Sequence, residues 1–221
     1  MELFVFDMAG TTIHDENKVG LVLQSALKAF DFDFSIEEIN VVMGYEKPVA
    51  ISELLKSKSH PYTAELIDQI HDLFVNDMIE YYKTNEDVRP TKNAEEIINY
   101  LRSKDIKVGF DTGFSRIIAD TIFEKLNWKE GRDFDFSITS DEVENGRPYP
   151  DMIFKIMERC NISDGNLVAK VGDTISDLEQ GKNANCGLVI GVTTGAYSFD
   201  ELSGFPHNYI IDDLIEIKKL I

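Results

Sequence analysis

The sequence predicts an α/β fold in which a mostly parallel sheet carries helices on both faces and a block of helices follows the first strand. Short apolar runs alternate along much of the chain with segments whose apolar residues recur at helical spacing. This alternation is typical of parallel strands joined by helices. Between residues 16 and 85 the spacing is helical almost throughout. We therefore expect a core domain of residues 1–15 and 86–221 and an inserted helical cap domain of residues 16–85.

Short apolar runs predict the strands, and the residues between most of them predict the connecting helices. The strand-like runs are Leu3–Phe6, Ile106–Phe110, Phe134–Ile138, Val168–Val171, Gly187–Val192 and Tyr209–Ile211. Core helices are predicted over Ala94–Arg102, Ser115–Leu126, Pro150–Arg159 and Ser176–Ala184. Cap helices are predicted over Val19–Ala29, Ser35–Val42, Pro48–Lys56 and Ala64–Tyr82, and the chain re-enters the core near Arg89-Pro90.

Charge and cysteine content exclude several classes of function. A net charge of −18 would repel nucleic acid and anionic membranes. Cys160 and Cys186 form neither a disulfide framework nor a zinc-binding spacing. No basic leader precedes the first strand, and no apolar run reaches the ~18 residues that span a bilayer. We expect a cytoplasmic, globular protein that binds a small molecule rather than nucleic acid or membrane.

Four polar residues follow strand-like runs or lie on nearby turns: Asp7, Thr112, Arg147 and Asp173. Ligands of open α/β sheets bind beyond the carboxyl ends of the strands. We therefore expect these four side chains to meet at one site.

Asp7 is a candidate nucleophile, because it ends the first apolar strand and precedes a Gly-Thr-Thr turn. A carboxylate attacks phosphorus well when Mg²⁺ screens the negative charge of both partners. Asp173 and Asp177 lie four residues apart on a tight turn, and their hard oxygen atoms suit Mg²⁺. The alternative for each aspartate alone is capping of a turn or helix.

Thr112 and Gly113 are candidate phosphate ligands, since a hydroxyl and free backbone amides at a helix start can bind phosphoryl oxygens. Arg116, one turn further on, is expected to approach the same group. Arg147 lies in a loop stiffened by Pro148 and Pro150, where its guanidinium can pair with a carboxylate and with phosphoryl oxygens. The alternatives are a helix cap for Thr112 and a surface arginine for Arg147.

Lys47 precedes Pro48, which can open the next helix. At the positive end of a helix dipole, and partly buried under a cap, the pKa of the lysine would fall. A neutral amine is what a Schiff base with an aldehyde needs. The alternative is an ordinary solvated lysine.

Together these segments resemble the haloacid dehalogenase superfamily, and more narrowly its phosphonatase-like branch. The resemblance covers nearly the whole chain and rests on five motifs. They are Asp7–Thr12, Met43–Lys47, Asp111–Arg116, Gly146–Pro150 and Lys170–Asp177. It implies a Rossmann-like core with an inserted cap, a Mg²⁺ site formed by Asp7, the Ala9 carbonyl, Asp173 and Asp177, and substrate contacts from Met43, Gly44, Thr112, Gly113 and Arg147.

The resemblance also implies a mechanism. Lys47 would form an imine with an aldehyde next to a phosphonate carbon, as in phosphonoacetaldehyde. Asp7 would take the phosphoryl group while the carbon fragment departs as an enamine. Most relatives carry a second aspartate two positions after the nucleophile, where this chain has Ala9. An alkoxide leaving group needs a proton from that position, whereas an enamine does not.

Two positions depart from the pattern of the branch. Ala50 stands where a histidine is expected after the lysine, and Asp111 stands where a hydroxyl or small residue is usual. A phosphatase of small phosphorylated metabolites on the same scaffold, with His14 or a cap residue as acid, is therefore the alternative function. A non-catalytic ligand-binding relative is a third. The resemblance leaves open whether the protein is a monomer or a homodimer.

Overall fold

The computed structural model describes residues 1–221, which contain one six-stranded sheet. Its strands are β1 (Leu3–Phe6), β2 (Lys107–Thr112), β3 (Phe136–Thr139), β4 (Val168–Gly172), β5 (Leu188–Val192) and β6 (Tyr209–Ile211). Their order is β3-β2-β1-β4-β5-β6, and every neighbouring pair is parallel. The predicted α/β fold class is confirmed.

Nine α-helices accompany the sheet. Those between β1 and β2 are α1 (Lys18–Lys28), α2 (Ile36–Asn40), α3 (Lys47–Ser57), α4 (Ala64–Thr84) and α5 (Ala94–Ser103). The later ones are α6 (Arg116–Leu126), α7 (Asp151–Arg159), α8 (Ile175–Asn183) and α9 (Phe199–Ser203). None combines the length and the apolar character that a membrane span requires.

The apolar core covers both faces of the sheet, as a parallel sheet requires. Side chains alternate along β1, so Phe4 and Phe6 join the larger cluster while Leu3 and Val5 join a smaller one against α7. The larger cluster continues into buried residues of α4, such as Phe74. Packing therefore joins the helices between β1 and α5 to the core, and the division into two domains stays a prediction.

The segment that leads into α3 packs closely on the loops of the core. Gly44 has a φ of +82°, and a Cβ there would lie 2.1 Å from Ser176 Oγ. A Cβ on Gly113 would lie 2.8 Å from the carbonyl oxygen of Tyr45. The Tyr197 hydroxyl donates a 2.7 Å hydrogen bond to the Asn40 carbonyl. Glycine at positions 44 and 113 thus permits the approach that places Lys47 above the ends of β2 and β4.

Candidate active site

The carboxyl ends of β1, β2 and β4 meet at the centre of the sheet, where the strand order reverses direction. A partly open cavity lies there, beneath the start of α3. The predicted site residues that line it are Asp7, Ala9, Met43, Gly44, Lys47, Thr112, Gly113, Arg147 and Asp173. Asp177 lies beside them, in contact with Arg147 at 3.2 Å. The structure therefore brings these ten residues together.

Asp7 follows β1 directly and is only 5% exposed. Its backbone N–H donates to the Val171 carbonyl at 2.9 Å, which extends the pairing of β1 with β4 by one residue. Its Oδ1 lies 2.7 Å from Arg147 Nη2. Burial raises the pKa of Asp7 to about 6, against the opposing charge of Arg147. The carboxylate is thus mostly ionised at neutral pH.

Asp7, Asp173 and Asp177 form a buried cluster that fits a divalent cation. Each offers an oxygen atom, and these atoms lie within 4.8 Å of one another. Burial and the charges of Asp7 and Asp177 raise the pKa of Asp173 well above its usual range, a repulsion that a cation would relieve. No backbone N–H donates to the Ala9 carbonyl, so that oxygen remains free as a ligand. Hard oxygen donors of this kind suit Mg²⁺.

Arg147 and Lys170 form ion pairs with carboxylates of the cluster. Arg147 Nη2 contacts Asp111 Oδ1 at 2.6 Å, and Lys170 Nζ contacts both Asp111 and Asp177. Burial opposes ionisation of Asp177, but the charges of Arg147 and Lys170 outweigh it and lower the pKa of this carboxyl. Arg147 is 4% exposed, so the alternative of a surface arginine does not describe it.

Lys47 begins α3 and is 4% exposed, so it is not an ordinary solvated lysine. Its Nζ lies 5.6 Å from the ring centroid of Phe74 and 5.8 Å from that of Phe114. It donates one hydrogen bond of 3.3 Å to the Tyr45 carbonyl. Burial first, and then the charge of Arg147, lowers its pKa to about 8. The direction matches the sequence argument, although burial rather than the helix dipole is the main cause.

Arg116 lies elsewhere, and its predicted approach to the phosphoryl group is wrong. Its guanidinium donates to the Ser137 hydroxyl at 2.9 Å and pairs with Glu142. These contacts hold it against the end of β3, so it stabilises the loop that follows that strand.

Thr112 is the last residue of β2, and its Oγ1 accepts a hydrogen bond from the Phe114 N–H at 3.2 Å. Its hydroxyl proton stays available to a ligand in the cavity.

Asp15 also lines the cavity, although it is not among the site residues predicted from the sequence. It lies between β1 and α1, where its Oδ1 accepts hydrogen bonds from the backbone N–H groups of Lys18 and Val19 at 3.0 and 3.4 Å. The only signal in the sequence was an aspartate three residues before a helix, which reads as a cap.

Comparisons with known proteins find relatives of the family that the sequence motifs resemble. A family model described as haloacid dehalogenase-like hydrolase matches residues 4–191. Phosphonoacetaldehyde hydrolase from Bacillus mycoides is 30% identical over 213 residues, which are 89% of this chain and 77% of that protein. Phosphonoacetaldehyde hydrolase from Bacillus cytotoxicus is 36% identical over 107 residues, and this match spans only 40% of that relative. A solved phosphonoacetaldehyde hydrolase-like protein from Oleispira antarctica has a TM-score of 0.86 at 22% identity, over 99% of this chain and 90% of its own.

Proposed function

The chain belongs to the haloacid dehalogenase-like hydrolases, and from this premise we propose that it is a Mg²⁺-dependent phosphonatase-like enzyme. Its substrate would be phosphonoacetaldehyde or a related phosphonate with a carbonyl group beside the phosphonate carbon. The match to phosphonoacetaldehyde hydrolases supports this substrate class.

The burial of Lys47 beside the cavity of Asp7 carries the proposal. A lysine with a pKa of about 8 has roughly a tenth of its amine neutral at pH 7. The neutral amine would attack the aldehyde carbon, and loss of water would leave an iminium ion. The iminium withdraws electrons from the neighbouring C–P bond, as Schiff-base catalysis requires.

Asp7 would then attack phosphorus. The electron pair of the C–P bond moves toward the iminium and gives an enamine, while Asp7 becomes an aspartyl-phosphate. Water hydrolyses the aspartyl-phosphate to free phosphate. Protonation of the enamine carbon gives an imine, and hydrolysis of this imine releases an aldehyde and restores Lys47. The leaving group takes no proton during bond cleavage, which agrees with Ala9 in place of an acid.

The remaining residues bind and orient the phosphoryl group. Arg147 is fixed by Asp7 and Asp111 and offers guanidinium donors to phosphoryl oxygens. Thr112 and Gly113 also line the cavity, where the Thr112 hydroxyl and the Gly113 backbone N–H would donate to phosphoryl oxygens. Mg²⁺, held by Asp7, the Ala9 carbonyl, Asp173 and Asp177, would screen the repulsion between the nucleophile and the phosphoryl oxygens.

The test is phosphate release from phosphonoacetaldehyde and from a panel of small phosphate esters, all with Mg²⁺. Lys47→Arg keeps the positive charge but cannot form an imine, and Lys56→Arg is the matched control near the exposed end of α3. We expect Lys47→Arg to lose phosphonate turnover and the control to keep it. Borohydride should trap an adduct on Lys47 in the parent and in the control, but not in Lys47→Arg.

Three outcomes would contradict the proposal. Unchanged phosphonate turnover in Lys47→Arg would remove the imine from the mechanism. Turnover of esters without phosphonate cleavage would establish a small-metabolite phosphatase. Binding of these ligands without release of phosphate would establish a non-catalytic relative.

A further inference from the structure

Imine chemistry needs a group that takes a proton from the lysine and gives one to the departing oxygen. The titratable side chains that line the cavity are Asp7, Asp15, Lys47, Arg147 and Asp173. Asp7 and Asp173 belong to the phosphoryl and metal sites, and Arg147 does not release its proton. Asp15 is therefore the one acid or base of the cavity wall that the proposed mechanism leaves unused.

The position of Asp15 suits this task. Both hydrogen bonds that it accepts go to Oδ1 and come from the backbone at the start of α1, which fixes the carboxylate plane. No protein group donates a hydrogen bond to Oδ2. The Asp15 side chain lines the same cavity as Lys47. Helix α3 offers no alternative, because Ala50 is buried and apolar one turn after Lys47. His71 of α4 is half-buried but does not line the cavity.

The surroundings of Asp15 act on its pKa in both directions, with a net rise. Burial raises its pKa, while its two backbone hydrogen bonds and the charges of His14 and Lys47 act in the opposite direction. The titratable groups around it are His14 and Glu16 on its own segment, Lys47 on α3, and Tyr81 and Tyr82 on α4. Both tyrosines have raised pKa values and stay neutral, so neither competes with Asp15 as a base for Lys47.

We propose that Asp15 is the proton-transfer residue of the imine cycle, an inference that rests on the proposed function of Lys47. In the forward direction the Asp15 carboxylate takes a proton from the Lys47 ammonium group through an intervening water, because no direct hydrogen bond joins the two side chains. The free amine then adds to the carbonyl carbon. The Asp15 carboxylic acid then returns that proton to the carbinolamine hydroxyl, which leaves as water. After C–P cleavage the Asp15 carboxylate takes up a proton from solvent, and the resulting acid delivers this proton to the enamine carbon, which gives an imine. The Asp15 carboxylate then takes a proton from the water that hydrolyses the imine.

The experiment measures imine formation directly, by rapid mixing with phosphonoacetaldehyde, quenching with borohydride and mass analysis of the intact protein between pH 5.5 and 8.5. Asp15→Asn keeps an oxygen to cap α1 but cannot carry a proton. Glu16→Gln removes the neighbouring carboxylate, whose side chain is 71% exposed, and is the matched control. We expect Asp15→Asn to slow imine formation about 100-fold and to flatten its pH profile, with an unchanged melting temperature. The control should behave as the parent.

A second variant separates proton transfer from structure. Asp15→Ser also caps α1 and leaves room for a small acid, so added formate should restore part of the rate in this variant alone. Parental rates and a parental pH profile in Asp15→Asn, with normal trapping in the parent, would overturn the role of Asp15 and leave the function of Lys47 intact. A parent that traps no adduct would overturn the proposed function itself, and this inference with it.

Discussion

Replacement of Lys47 by methionine should stabilise the protein at neutral pH while it abolishes the proposed chemistry. Lys47 is 4% exposed, and its pKa falls from 10.5 to about 8 in the folded chain. Each pKa unit corresponds to about 1.36 kcal/mol, so burial of this charge costs about 3 kcal/mol of folding free energy. Methionine has a similar length and no charge, so it should fill the space between Phe74 and Phe114 without that cost.

The gain should depend on pH in a defined direction. The folded pKa of Lys47 lies below the unfolded one, so the unfolded chain binds more protons between about pH 8 and 10.5. The stability of the parent therefore rises through that range, and the penalty is complete only below about pH 8. The advantage of Lys47→Met should be about 3 kcal/mol at pH 7 and about 2 kcal/mol at pH 9.

Urea unfolding at pH 7 and pH 9 measures both quantities. Lys56→Met is the control, since the side chain of Lys56 is 53% exposed and its replacement should change the free energy of unfolding by less than about 0.5 kcal/mol. A variant at position 47 that is less stable than the parent at pH 7 would refute the lowered pKa. So would an advantage of the same size at both pH values.

Three further predictions concern the cation, the cap and the missing acid. Mg²⁺ at a hundred times its dissociation constant should raise the free energy of unfolding by about 2.7 kcal/mol. Thermal denaturation measures this gain, which EDTA should reverse and which Asp173→Asn should not show. Gly44→Ala places a Cβ 2.1 Å from Ser176 Oγ at a positive φ, so kcat/KM should fall at least about tenfold. Unchanged kinetics would argue against the close packing of the segment before α3 on the loops of the core. Ala9→Asp should speed hydrolysis of phosphate esters by up to about 100-fold and do little for the phosphonate, and the reverse pattern in a phosphate-release assay would contradict the enamine leaving group.

The sequence predicted the fold well, because each element carries a strong local signal. Buried parallel strands read as unbroken apolar runs, and β1 is buried at every position. Helix starts are marked by caps, such as Ser35 with its reciprocal partner Glu38 before α2. Helix α9 was missed, since five residues are too few to show helical spacing. Thr112 was expected after its strand but pairs with Thr139 inside the sheet.

The site was harder to predict where a residue's role depends on distant parts of the chain. Arg116 shares a segment with Thr112, but its orientation is set by Glu142 and Ser137, which local sequence does not reveal. Asp15 carries the signature of a helix cap and indeed caps α1, yet the same carboxylate faces the cavity. The second role that we propose for this residue depends on the fold, which places Lys47 on the wall of the same cavity.

Asp111, which has no local explanation, becomes intelligible from the charge of the whole site. Four buried carboxylates, Asp7, Asp111, Asp173 and Asp177, face two buried cations, Arg147 and Lys170. Lys47 and Asp15 line the same cavity and add one charge of each sign. With every one of these groups ionised, the site carries two excess negative charges, which one divalent cation would neutralise.

Asp111 also gives Arg147 an anchor that does not take part in the reaction. One guanidinium nitrogen lies 2.7 Å from Asp7 and 2.6 Å from Asp111. In the proposed reaction the Asp7 carboxylate accepts a phosphoryl group and loses its charge as a partner, whereas the pair of Arg147 with Asp111 would persist. The arginine can then follow the phosphoryl oxygens through both steps without being left as an unpaired buried charge, which would cost several kcal/mol. A carboxylate at the end of β2 thus serves a site whose nucleophile is itself a carboxylate that must change its charge.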